Sequence, residues 1–95
     1  MHDVALAAEV PVWCGGMLES GIGWAHNLAM STLIGFSLPG DVSASKRYWR
    51  EDIVEPEITV SAQGSIAMSD AVGRGYAIRE ELIERLTVRK ETIRA

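Results

Sequence analysis

Residues 1–45 contain no lysine and no arginine; their only charged side chains are Asp3, Glu9, Glu19 and Asp41. The whole chain carries nine basic against thirteen acidic residues, a formal net charge of −4, and no basic stripe. That argues against a nucleic-acid partner, because phosphate neutralisation needs clustered lysine and arginine. A single cysteine, Cys14, excludes an internal disulfide, so nothing points to an oxidising compartment. The opening MHDVALAAEV has no basic segment and holds Asp3 and Glu9, unlike a secretory leader. The longest apolar stretch, 28–38, is broken by Ser31, Thr32, Gly35 and Ser37 and is too short to span a bilayer. The expectation is a soluble, cytoplasmic chain with no membrane partner. At 95 residues it also lacks the roughly 250 that a complete (β/α)₈ barrel needs.

What is present is enough to fold. Hydrophobic residues make up 47% and charged residues 23%, outside the range of disordered chains. A chain this short buries only about 60–65% of its unfolded surface, so stability on its own would be marginal. The charge is divided unevenly. Residues 1–45 are apolar and glycine-rich, with a net charge of −4, whereas in residues 46–95 nine basic and nine acidic residues cancel. The first half reads as an interior and the second as a solvated surface.

Residues 2–8 read as the last turns of a helix. Val10–Cys14, bounded by Glu9 and Gly15-Gly16, has the pattern of a parallel strand buried on both faces. Residues 15–23 hold four glycines in nine positions and read as a loop. Trp24–Leu33 follows as a helix, with Trp24/Leu28 and Ala25/Ala29/Leu33 at i, i+4 spacing. Gly35–Leu38 is a second short strand, stopped by Pro39-Gly40. This is a βαβ unit with a parallel crossover, and a two-stranded parallel sheet implies further neighbours. Beyond Asp41 the pattern predicts a polar loop or short helical turn at 43–49. Short β-rich runs follow at 58–60 and 65–67, then a loop at 69–76, an amphipathic helix at 79–86 with Leu82 and Leu86 on one face, and a last edge strand at 87–93.

The glycine loop at the end of a buried strand and the start of a helix is where parallel α/β sheets bind ligands, and the helix start favours an anion. Its spacing matches neither a dinucleotide fingerprint nor a P-loop, and tight turning alone would also account for the glycines. Cys14 is a nucleophile only with a base beside it; otherwise it packs as a small hydrophobe. His26 reads as a hydrogen-bonded structural residue. Glu19 and Asp41 fall just past the two strands, where barrel enzymes place working groups, although a loop cap or a helix-end charge is the plainer role. The run Glu51, Asp52, Glu55, Glu57 reads as a solvated face. Trp13, Trp24 and Trp49 read as core or interface residues. No His, Asp and Glu cluster at metal-ligand spacing is present.

The strings PVWCGGMLESGIGWAHNLAM and GFSLPGDVSASKRYWREDIVEP resemble the C-terminal end of the enolase superfamily. More narrowly, they are similar to the muconate-lactonizing subgroup, the o-succinylbenzoate synthases and N-acylamino acid racemases. The likeness runs from residue 2 to about residue 76. It implies an α/β fold: strands seven and eight with helix seven of a (β/α)₈ TIM-type barrel, then a segment returning to an α+β capping domain. Strand seven would be residues 10–15, helix seven 23–34 and strand eight 35–39. The barrel part would occupy residues 1–52 and the capping segment 53–95.

The resemblance further implies proton abstraction next to a carboxylate, with Mg²⁺ holding the small carboxylate substrate and lysines acting as base and acid. In the synthase the intermediate loses water, in menaquinone biosynthesis; in the racemase it is reprotonated from the other face. Those lysines and the three metal carboxylates would precede Met1. Lys46 and Lys90 match none of them, so this chain carries no catalytic residue and no metal ligand and would be inactive alone. What does match is a wall of the substrate pocket: Gly15, Gly16, Met17, Glu19, Asp41 and Tyr48. The implied partners are the missing N-terminal barrel part and, at full length, further copies in a homo-oligomer. Trp24 stands where the family usually has arginine, and MSDAVGRGY replaces a proline-bearing segment. The residues alone leave a second reading open, a small stand-alone α/β module that binds or complements another chain without catalysis.

Overall fold

A computed structural model describes residues 1–94. In chain order it contains α1 (His2–Ala7), α2 (Gly21–Ser31), a 3₁₀ turn (Ser45–Arg47), β1 (Val54–Glu55), β2 (Ala77–Ile78) and α3 (Glu80–Leu86). The strands β1 and β2 pair antiparallel, Val54 opposite Ile78 and Glu55 opposite Ala77.

The two expected barrel strands lie side by side in parallel sense but do not form a regular ladder. The Val12 N–H donates to the Gly35 carbonyl (3.0 Å), the Leu38 N–H to the Val12 carbonyl (3.3 Å) and the Asp41 N–H to the Cys14 carbonyl (2.8 Å). A regular parallel pair brackets one residue with partners two apart. Here Val12 is bracketed by residues three apart, so the register slips. Helix α2 is also displaced from the expected 23–34. It begins at Gly21, where a side chain from outside the helix takes up an end N–H, and stops at Ser31. There the Ser31 and Thr32 hydroxyls donate back to the Asn27 and Ala29 carbonyls, both at 2.7 Å.

The core forms between α2 and the segment that follows the acidic run. Trp24, Ala25 and Leu28 of α2 cluster with Ile58, and Val42, Ile66 and Tyr76 lean against them. The buried face of α2 is thus Gly21, Trp24, Ala25 and Leu28; Ala29 is exposed and Leu33 lies beyond the helix. Residues 58–60 and 65–67 are not strands, because Ile58 turns into this core while Ser61 and Ser65 close a tight turn (Ser61 N–H to Ser65 carbonyl, 2.8 Å). Residues 87–93 form no strand and are exposed throughout, with no neighbouring edge to pair with. In α3 only Leu82 is buried; Leu86 is exposed.

The shape is open. A compact monomer of 10.3 kDa exposes about 5,400 Å² and a 95-residue domain has a radius of gyration of about 12.4 Å. This chain exposes 7613 Å² and has a radius of gyration of 15.7 Å. Val10, Trp13, Met17, Ile34 and Leu38 contribute to that excess on the layer that precedes and follows α2.

Candidate functional site

The sequence places Gly15, Gly16 and Met17 at the end of the first extended segment and Asp41 at the end of the second. The Asp41 N–H bond to the Cys14 carbonyl holds these two ends together (2.8 Å). Across the loop, the Trp49 indole N–H donates to the Glu19 carbonyl (3.3 Å), which brings the turn carrying Tyr48 against the same loop. The six residues therefore share one edge of the molecule. They form an open wall: Met17 is 82% exposed, Asp41 is exposed and Tyr48 is 43% exposed.

Each member is positioned by a separate local cause. Leu18 takes a left-handed backbone (φ 51°), which turns the chain from Met17 toward α2. Gly16 lies against the indole of Trp24. A Cβ there would sit 2.6 Å from Cη2 of the ring and 3.1 Å from the Asn27 amide nitrogen. Only glycine permits this approach. The Glu19 carboxylate folds against Gly23 in the first turn of α2, at the positive end of the helix dipole. Cys14 is buried as a small hydrophobe, its thiol on the Gly15 carbonyl (3.7 Å).

Several other expectations are corrected. His26 is exposed on α2 rather than held in a structural hydrogen bond. His2 has the ordered role instead: Gly35 N–H donates to its Nε2 (3.1 Å), so Nδ1 carries the proton shared with Asp3 (2.8 Å), and the ring stacks on Phe36. The tryptophans, by contrast, keep to the core-or-interface reading: Trp24 is core at 1% exposure, and for Trp13 and Trp49, about half exposed, only the core alternative is excluded. The acidic run is not a uniform solvated face. Asp52 is 3% exposed, accepting the Gly21 N–H on Oδ1 (2.8 Å) and the Ser45 hydroxyl on Oδ2. No signal in the sequence marks it, because Ser20 is an ordinary N-cap residue type. Ser20 precedes the helix without capping it, so an end N–H needs an acceptor from elsewhere.

The donor set does not fit a divalent cation. Among the described residues no three His, Cys, Asp or Glu side chains come together. Glu19 is folded onto α2, and Asp52 has both carboxylate oxygens engaged. The edge presents Met17, Asp41 and Tyr48 to solvent, an apolar side chain, a carboxylate and a phenol.

The sequence model of a family described as Enolase C-terminal domain-like matches residues 1–82. The chain is 49% identical over 87 residues to the o-succinylbenzoate synthase of Geobacillus stearothermophilus, covering 92% of this chain and 23% of that protein. It is 47% identical over 88 residues to the N-succinylamino acid racemase of Thermus thermophilus, covering 93% and 24%. A solved enolase-superfamily structure from Listeria innocua superposes with a TM-score of 0.80 at 38% identity, over 88% of this chain and 22% of that one. The likeness thus reaches past residue 76, and the chain spans about a quarter of the length of these relatives.

Proposed function

The chain belongs to the Enolase C-terminal domain-like family, and from that premise we propose that it is the closing quarter of an enolase-superfamily enzyme that removes a proton next to a carboxylate. The observation that carries this reading is 49% identity, across nearly the whole chain, to about a quarter of an o-succinylbenzoate synthase, together with the match to a C-terminal domain family. The favoured activity is dehydration to o-succinylbenzoate, with racemisation of N-succinylamino acids as the companion reaction that the second relative supports. A cytoplasmic location and a homo-oligomeric full-length protein belong to the same reading.

In this assignment the chain's residues bind and orient. The exposed backbone at Gly15 offers polar groups to a substrate, Gly16 seats the Trp24 indole behind it, Met17 offers an apolar contact, and Tyr48 supplies a half-exposed phenol on the same edge. Glu19 and Asp41 set the charge at the two strand ends. A divalent cation, Mg²⁺ in the enolase pattern, would stabilise the developing enediolate charge when bound. Its ligands and the acid–base lysines lie outside this chain. The 95 residues alone are inactive. Positioning remains a large share of catalysis, since misplacing a substrate by about 1 Å can cost on the order of 100-fold in rate.

The exposed area supports a piece of a larger body over a stand-alone module. The excess over a compact monomer is on the order of 2,000 Å², the size of an obligate interface. The test is to co-express the chain with the preceding three quarters of the Geobacillus synthase and assay both reactions. Formation of o-succinylbenzoate or racemised N-succinylamino acid by the pair, and by neither part alone, supports the assignment. A soluble, folded pair that turns over neither substrate overturns it.

A further inference from the structure

We propose that Asp52 is a positioning residue that locks the two halves of the substrate-pocket wall, the glycine loop before α2 and the turn carrying Tyr48, to each other. The proposal rests on the functional reading above for the word pocket, but its geometry stands on the structure. The carboxylate joins three separate segments. Oδ1 takes the N–H of Gly21, the first residue of α2, and Oδ2 takes the hydroxyl of Ser45, in the turn between Asp41 and Tyr48. Its own main chain is held on both sides. Its N–H reaches Glu57 (3.4 Å) and its carbonyl receives the Arg79 guanidinium (3.2 Å), while the Arg79 N–H bonds the neighbouring Ile53 carbonyl (2.8 Å).

From each oxygen a short path leads to the wall. Gly21 has no room for a side chain, because a Cβ would strike Val54 and the Asp52 carboxylate. The start of α2 is therefore seated directly on Asp52. Trp24 lies one turn along, its N–H on the Ser20 carbonyl (3.0 Å), and its ring edge bears on Gly16. On the other side, Ser45 anchors the turn that carries Tyr48, its carbonyl taking the Tyr48 N–H (2.9 Å), and whose Trp49 holds the Glu19 carbonyl. One buried carboxylate thus sets the spacing between Gly15–Met17 and Tyr48. A buried charge is tolerated only when its hydrogen bonds are made, so the carboxylate has little freedom to give way.

The test uses a full-length hybrid in which the 95-residue chain replaces the corresponding quarter of the Geobacillus stearothermophilus synthase. Asp52→Ala is expected to raise KM about tenfold with kcat kept within about threefold, since the wall it holds contributes binding that is the same in the ground and transition states. It should also speed hydrogen exchange in both 15–20 and 41–48. Asp52→Asn keeps an acceptor for Gly21 and can donate to Ser45, so it should restore both readouts. Ser45→Ala, which removes one bond, serves if Asp52→Ala does not fold, and should affect 41–48 more than 15–20. Leu82→Ala, buried on α3, is the control for lost stability alone. An equal KM shift in that control, or faster exchange confined to residues 21–24, overturns the proposal. If the unsubstituted hybrid is folded but inactive, the functional reading fails, and the exchange pattern alone decides the role of Asp52.

Discussion

Two apolar layers meet at α2, and they end differently. On one side Trp24 and Leu28 close on Ile58, with Val54 buried close by against Gly21; Trp24 and Ile58 are 1% and 2% exposed. On the other, Trp13 and Ile34 are 57% and 82% exposed, and an open apolar hollow runs between Val12, Trp13, Leu33 and Phe36. Composition does not separate the layers, since both are rich in large aliphatic and aromatic residues. Partners do. The first layer is covered by residues of the same chain that follow Asp52, whereas the second has no cover in this chain. The same hydrophobic pattern therefore yields a core in one place and an exposed apolar layer in the other.

The change that breaks the first layer most is Trp24→Ala. Removing a fully buried tryptophan costs about 3–5 kcal/mol, against roughly 5–14 kcal/mol for the total stability of a domain of this length. A urea titration of the folded hybrid should show an unfolding free energy lowered by that amount, with the midpoint falling in proportion. A loss below about 1 kcal/mol would mean that the α2 layer is not the core. Gly16→Ala comes next. Its methyl group must displace the Trp24 ring, an overpacking cost of about 1–3 kcal/mol. Combined with Trp24→Leu, which vacates the space, the penalty should shrink, and a double-mutant cycle should return a coupling of at least about 0.5 kcal/mol. Additive losses would show that Gly16 and Trp24 do not touch.

How much of this was legible beforehand follows from where each partner lies. The α2 pattern was readable because Trp24, Ala25 and Leu28 follow helical spacing, and the pairing of the two extended segments was readable from their apolar runs. The slip in their register was not, since apolar runs mark which segments pair and not which residues bond across. In the sequence Asp52 reads as part of a solvated run, and Glu51 and Glu55 beside it are indeed exposed. Burial of one carboxylate among four is set by a contact 31 residues away, and local composition carries no trace of that. Residues 87–93 alternate loosely enough to suggest a strand, but alternation without an edge to join leaves the segment exposed. For the wall residues the residue types pointed to strand ends, and the Asp41–Cys14 and Trp49–Glu19 bonds show that these ends share one edge.

The smallest expected change in stability carries the sharpest division between the layers. Trp13→Asp replaces an indole that is more than half exposed, so in this chain alone it should shift stability by no more than about 0.5 kcal/mol. The same substitution places a carboxylate on the layer that the preceding three quarters of the enzyme would cover. Burying an unpaired charge there costs several kcal/mol, enough to lower association more than 100-fold. Co-purification of the two parts, followed by assay of the recovered pair, reads this out directly. Normal assembly with Trp13→Asp would mean that the exposed layer is ordinary surface. Failed assembly, with the chain's own stability unchanged, would show one helix separating a core from an interface.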